Sequence, residues 1–159
     1  MSLAAALQRR RDKEAGVLWA DDISFGSSTP EPWLFLGSGM DASNLERLQQ
    51  ASVTHVLNVA DDVPNFHEGH FIYLNLRVGD FGTDSGISRV FTDAAEFVRE
   101  SRAQGGACLI HCANGSNRSA TVAMAVVMQL SSSTLAAAAA HVKSRHRATC
   151  PLQDNRREL

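Results

Sequence analysis

The chain of 159 residues has little of several features that define other classes of protein. It holds three cysteines, an odd number without the spacing of a disulfide framework, which disfavours a secreted scaffold and favours a reducing compartment. A net charge of −2 gives no general attraction to nucleic acid or to acidic membranes. No apolar stretch is long enough to cross a bilayer, and three consecutive arginines interrupt the N-terminus where a signal peptide would be apolar. We therefore expect a single globular domain, located in the cytoplasm or the nucleus.

One segment, with the sequence HCANGSNRS at positions 111–119, carries most of the functional information. Five residues separate Cys112 from Arg118, which lets the backbone curl so that successive N–H groups point at one anion. Gly115 permits the tight curvature, and Arg118 offers a planar fork for two phosphate oxygens. The predicted phosphate-binding residues are therefore Ala113, Asn114, Gly115, Ser116, Asn117 and Arg118.

The same segment predicts a nucleophile, since cysteine attacks as the thiolate. The loop amides, the charge of Arg118 and the N-terminus of a helix expected to begin near Arg118 all favour that anion. Ser119 lies where its hydroxyl could bond the sulfur and later stabilise it as a leaving group, and His111 is a supporting residue. A lone cysteine between a strand and an apolar helix is usually only a small buried hydrophobe. The accompanying His, Gly, Arg and Ser make the catalytic interpretation the stronger one.

The pattern H-C-x-x-G-x-x-R-S resembles the signature of the cysteine-based protein tyrosine phosphatases, and the chain length is similar to that of their dual-specificity branch. Residues 32–38 (PWLFLGS) are similar to the opening strand of atypical dual-specificity phosphatases, and residues 53–60 (VTHVLNVA) to their second strand. The resemblance covers roughly Pro32 to Leu159. It implies an α/β fold, a single domain whose central mixed, mostly parallel sheet is flanked by helices.

Members of that family carry an aspartate on a loop upstream of the cysteine, where it acts as the general acid. Asp80 lies 32 positions before Cys112 and follows a predicted strand, so the resemblance implies that Asp80 has this role. Asp84 is the competing candidate, but it is closer to the following helix and fits the family spacing less well.

The resemblance implies a protein phosphatase that hydrolyses phosphotyrosine and phosphoserine or phosphothreonine through a cysteinyl-phosphate, with no cofactor and no metal. Its partner would be a phosphoprotein substrate, with no nucleic acid and no membrane, and the chain would be a monomer. Two alternatives remain. Asn117 and the segment after Pro151 depart from the family pattern, which leaves open a phosphate-binding pseudophosphatase or scaffold with weak turnover. Asn-Arg at this point also occurs in the related RNA 5′-phosphatases. A rhodanese-like sulfur transferase is disfavoured by the upstream Asp80.

Hydrophobic patterning places these residues in the fold. It predicts strands over 33–36, 54–59, 71–76 and 107–110, and helices near 41–50, 87–102, from Arg118 onward and over 134–143. Residues 21–31 are expected to be a loop. Residues 1–28 form an N-terminal arm or helix and residues 29–159 the catalytic domain, in which the last helix is expected to be altered or truncated. Cys112 would then lie at the carboxyl end of a strand, the edge where open α/β sheets bind ligands. Cys108 is expected to face the core and Cys150 to have no catalytic role.

Overall fold

The architecture is that of a computed structural model, which describes residues 2–14, 18–26, 30–80 and 86–159. The helices are α1 (Leu3–Glu14), α2 (Gly39–Ser43), α3 (Leu45–Gln50), a 3₁₀ helix (Ile87–Val90), α4 (Phe91–Ala103), α5 (Arg118–Ser131), α6 (Leu135–Arg145) and α7 (Gln153–Glu158). The strands are β1 (Asp21–Asp22), β2 (Leu34–Gly37), β3 (Val53–Ala60), β4 (Ile72–Val78) and β5 (Ala107–His111).

The strands form one five-stranded sheet in the order β1-β2-β5-β3-β4. Strand β5 lies in the middle and runs parallel to both neighbours, β2 and β3, while β4 runs parallel to β3 at one edge. At the other edge, the short β1 pairs antiparallel with β2. This confirms the predicted α/β fold with a mixed, mostly parallel sheet flanked by helices. All five residues of β5 are buried, as expected of a central strand covered on both faces.

Each face of the sheet is covered by its own apolar cluster. Side chains alternate between faces along a strand, so that Cys108 and Ile110 of β5 join one cluster and Leu109 joins the other. The larger cluster includes residues from α4, α5 and α6, and the smaller one includes Ala42 of α2 and Leu48 of α3. Cys108 therefore faces the core, as predicted, and this burial raises the pKa of its thiol.

Helix α5 is the element that the sheet and the neighbouring helices enclose. Every residue from 118 to 127 is buried, which is why this stretch is apolar nearly all round rather than along one stripe. Helices α4 and α6 pack against it, and α4 also contacts β3 and β5 of the sheet. Its N-terminus therefore has a fixed position relative to the carboxyl end of β5, and the segment 112–117 between them forms the candidate site.

The structure differs from the predicted elements at several boundaries. The predicted helix at 41–50 is two helices, because Asn44 ends α2 and its side chain then accepts the Arg47 N–H at 3.1 Å to begin α3. Residues 21–22, expected in a loop, pair with β2. The first turn of the predicted helix at 87–102 is 3₁₀, and the short helix α7 carries no hydrophobic period that would predict it. Thr134 caps α6 as its position suggested, accepting the Ala137 N–H at 3.2 Å.

No helix in the described part of the chain has both the length and the hydropathy that crossing a bilayer requires.

His111, the last residue of β5, is fully buried. Its Nδ1 lies 3.2 Å from the carbonyl oxygen of Cys112, and Nε2 has no hydrogen-bond partner within the described residues. Burial lowers the pKa of His111 from 6.5 to about 4, the nearby backbone carbonyl and Asp41 opposing this only in part. Burial likewise lowers the pKa of His55. Both rings are therefore neutral in the folded protein at neutral pH.

This burial predicts a loss of stability in mild acid. As the pH falls below 6.5, the unfolded chain binds a proton that His111 does not accept until about pH 4, so the free energy of unfolding decreases through that window. From pH 7 to pH 4.5 this single group contributes a loss of about 2–3 kcal/mol. Urea unfolding at the two pH values should show a smaller loss in His111→Gln than in the unaltered protein. The exposed His70 supplies the control, and an equal effect of His70→Gln would contradict the assignment.

Candidate active site

The candidate site is the loop 112–117, which joins the carboxyl end of β5 to the N-terminus of α5. Three of its carbonyl groups are held from outside the loop. Ala113 O accepts the Gly39 N–H at 2.9 Å, Ser116 O accepts the Cys150 N–H at 2.7 Å, and Gly115 O lies 2.7 Å from Nε2 of His146.

Because C=O and N–H point in opposite directions across a trans peptide, these three outward carbonyls turn the next three N–H groups inward. The inward groups belong to Asn114, Ser116 and Asn117. The loop therefore presents N–H donors toward its own centre, as an anion site requires.

Gly115 is required at its position for two separate reasons. Its φ is +75°, in the left-handed region that glycine adopts without strain. A Cβ built there would lie 2.7 Å from the carbonyl oxygen of Gly37, which is backbone and cannot rotate away. Any larger residue would thus push the loop off the end of β2.

The Cys112 sulfur lies at the base of this loop and is 3% exposed. It accepts the Gly115 N–H at 3.3 Å, and the Ser119 hydroxyl lies 3.1 Å from it. The first turn of α5 begins at Arg118, so the helix dipole adds positive potential on the same side. These contacts surround the sulfur with hydrogen-bond donors and the positive end of a helix.

Arg118 is buried to 1% exposure, although it carries a charge. Its Nη1 donates to Val78 O at 2.9 Å and to the carboxylates of Asp62 at 2.9 Å and Asp61 at 3.3 Å. Nε has no hydrogen-bond partner in the described residues, and Nη2 makes a 3.5 Å ion pair with Asp80. One edge of the guanidinium is thus anchored, while the Nε–Nη2 edge has the geometry for two parallel bonds to phosphate.

Asp80 lies beside the loop, as the sequence predicted, and is 20% exposed on its side chain. Its Oδ1 accepts a 2.8 Å hydrogen bond from Nδ2 of Asn117, and its Oδ2 faces Arg118. Asp84, the competing candidate, lies outside the described residues. The structure therefore brings together Cys112, Arg118, Ser119 and Asp80.

The loop side chains differ in where they point. Asn114 is exposed, and Ala113 and Ser116 are half-buried, so these three lie at the mouth of the loop. The side chain of Asn117 is only 8% exposed and bonds Asp80 and the C-terminal segment rather than solvent. Cys150 is exposed, and its backbone N–H is what contacts the loop.

Several residues of the site were missed by sequence reasoning. Asp61 and Asp62 directly follow β3, and the carboxyl ends of parallel strands meet at one edge, so this position was a usable signal. The ring of His146 is buried between Gly115 O and the carboxylate of Asp21, 2.6 Å from Nδ1. The ring thus connects the outer side of the loop to β1. No local pattern indicates this contact, because 31 residues separate His146 from Gly115.

Comparison with known proteins agrees with this geometry. Residues 34–159 match the family described as dual specificity phosphatase, catalytic domain. The chain belongs to the dual-specificity phosphatase family.

Individual dual-specificity phosphatases show how far the similarity extends. The chain is 38% identical over 128 residues to the protein phosphatase Slingshot homolog of Xenopus laevis, covering 80% of this chain and 18% of that protein. It is 38% identical over 121 residues to dual specificity protein phosphatase 1 of Arabidopsis thaliana, covering 76% and 61%. The chain thus spans less than two thirds of these relatives. The crystal structure of human DUSP28 superposes with a TM-score of 0.78 at 27% identity, covering 87% of this chain and 88% of that one.

The contact between the His146 ring and Gly115 O predicts that His146 supports phosphate binding by this loop. His146→Ala removes the ring that contacts Gly115 O, and the loss of one such hydrogen bond weakens binding of inorganic phosphate by about tenfold. Titration calorimetry measures this directly. The matched control is His141→Ala within α6, the helix that His146 caps, because the His141 ring contacts the carbonyl of Ile23 and not the loop. Equal losses in the two variants would contradict a specific role for His146.

Proposed function

We propose that this chain is a dual-specificity protein phosphatase that hydrolyses phosphotyrosine, phosphoserine and phosphothreonine monoesters through a cysteinyl-phosphate. The observation that carries the proposal is the buried Cys112 sulfur at the base of a loop whose N–H groups turn inward. Membership of the dual-specificity phosphatase family supports the same chemistry.

In the first step, the Cys112 thiolate attacks phosphorus in line with the ester oxygen. An S–P bond forms as the P–O bond to the substrate breaks. The loop N–H groups and the Nε–Nη2 edge of Arg118 stabilise the equatorial oxygens. Asp80 gives its proton to the departing alkoxide or phenoxide, so the substrate leaves as a neutral alcohol or phenol.

In the second step, the Asp80 carboxylate takes a proton from a water that attacks the phosphocysteine. The P–S bond breaks, inorganic phosphate forms, and sulfur leaves as the thiolate. The Ser119 hydroxyl, 3.1 Å from the sulfur, donates a hydrogen bond to that leaving group. Neither step requires a metal or an organic cofactor.

The proposed substrate is a phosphoprotein, acted on by a monomer in the reducing environment of the cytoplasm or nucleus. The residues at the mouth of the loop, Ala113, Asn114 and Ser116, are neutral, so they add no basic contacts for a polyphosphorylated ligand such as an RNA 5′-triphosphate. Asn117, whose identity raised the RNA alternative, contacts Asp80 instead of the mouth.

Replacement of the proposed nucleophile separates catalysis from binding. Cys112→Ser should abolish turnover of phosphotyrosine and phosphothreonine peptides, because a neutral hydroxyl replaces the thiolate, while inorganic phosphate still binds the unchanged amides and Arg118. Peptide hydrolysis and phosphate titration measure the two properties. Undiminished turnover in Cys112→Ser would refute the scheme. Absence of turnover in the unaltered protein would indicate a phosphate-binding scaffold, and preference for a 5′-triphosphate RNA over the peptides would refute the substrate class.

The proposed acid predicts a dependence on the leaving group. Asp80→Ala should slow hydrolysis of phenyl phosphate by about 10²–10³-fold, since phenoxide is a poor leaving group that needs the proton. For p-nitrophenyl phosphate, whose leaving group is stable as an anion, the loss should be much smaller. Steady-state kcat/KM for the two esters measures the difference. Equal losses would show that Asp80 is not the acid.

A further inference from the structure

We propose that Asn117 is a positioning residue whose side-chain amide holds the carboxyl group of Asp80 against the phosphate loop and links it to the C-terminal helix. This inference rests on the proposed function, in which Asp80 is the general acid. It concerns the side chain of Asn117, which touches the acid, and not its backbone N–H, which faces the phosphate.

The amide of Asn117 makes three hydrogen bonds in a nearly buried setting. Its Nδ2 donates to Asp80 Oδ1 at 2.8 Å, and its Oδ1 accepts the Leu152 N–H at 2.7 Å and Nδ2 of Asn155 at 3.0 Å. A flipped amide would place an oxygen against the carboxylate and an NH₂ group against two donors. The hydrogen bonds therefore allow one orientation only.

This orientation fixes the direction of the Asp80 carboxyl group. Oδ1 accepts the hydrogen bond from Asn117, and Oδ2 faces Nη2 of Arg118 at 3.5 Å, on the edge of the guanidinium proposed to hold the phosphate. Asn117 thus holds the carboxyl group toward the place where the ester oxygen departs.

The same hydrogen bond contributes to the transition state. As Asp80 gives its proton to the leaving oxygen, a carboxylate forms, and a hydrogen bond to a charged group is stronger than one to a neutral group. The donor at Oδ1 therefore gains strength while the reaction proceeds. An interaction that strengthens in this way raises kcat more than it lowers KM.

The C-terminal segment completes the arrangement. Leu152 precedes α7 and Asn155 lies within it, so both donors to Asn117 Oδ1 come from the last nine residues. Glu158 of α7 in turn bonds Ser88 in the 3₁₀ helix Ile87–Val90. The C-terminal helix thereby holds the Asn117 amide, which in turn holds the carboxyl group of Asp80.

A double-mutant cycle on Asn117 and Asp80 tests this role. Asn117→Ser should lower kcat for phenyl phosphate about tenfold, the effect of one lost hydrogen bond to a charged group, with KM and p-nitrophenyl phosphate turnover changed little. In an Asp80→Ala background, Asn117→Ser should cost nothing further, because the acid it positions is gone.

Two further variants guard against a general effect on folding. Asn155→Ala removes one of the two hydrogen-bond donors to Asn117 Oδ1. Asn155 is half-buried, and its replacement should reduce phenyl phosphate turnover by a smaller factor than Asn117→Ser does. Asn44→Ser makes the same chemical change as Asn117→Ser at a helix cap where serine also serves, so it should leave both esters unaffected.

The outcomes are distinguishable. An equal loss from Asn117→Ser in the presence and absence of Asp80, or equal losses for the two esters, would overturn the positioning role while leaving Asp80 as the acid. If Asp80→Ala itself fails to discriminate between the esters, the acid and its positioning residue are both refuted. A coupled, leaving-group-dependent loss supports the proposal.

Discussion

A guanidinium with 1% exposure cannot remain charged in a protein without negative groups around it, because removing a cation from water costs several kcal/mol when it is unpaired. Arg118 meets this requirement with Val78 O, Asp61 and Asp62 on one nitrogen and with Asp80 on another. These partners come from the ends of two parallel strands, so the sheet edge itself neutralises the charge. The positions of Asp61, Asp62 and Asp80 meet that constraint.

The part of the site that is local in sequence could be predicted from it. Spacing between Cys112, Gly115 and Arg118 sets a curled loop, and a strand before it with an apolar helix after it places that loop at a sheet edge. Asp80 was found through family spacing. The contacts of His146 and Asn155 could not be predicted, since they depend on where α6 and α7 return after some thirty residues, which is a matter of tertiary packing rather than of local pattern.

Two departures from the family pattern, considered separately, suggested a weakened or redirected activity. One was Asn117, and the other was the segment after Pro151. In the structure these two features bond each other, since Leu152 and Asn155 donate to the oxygen of Asn117. Asn117 and the C-terminal segment therefore form one hydrogen-bonded unit in a nearly buried place, so the two departures from the family pattern belong together. The substrate class therefore has to be inferred from the loop mouth and not from Asn117.

The outward carbonyls of the loop have a consequence for the thermodynamics of recognition. Gly39 lies far in the chain from His146 and Cys150, and together the three residues fix the peptide planes before any ligand arrives. A phosphate that enters meets dipoles already oriented toward it, so little backbone entropy is lost on association and little reorganisation is needed when charge shifts among its oxygens. The conformational entropy of the loop is therefore lost once, during folding, and the polar cavity is already rigid when a phosphate binds.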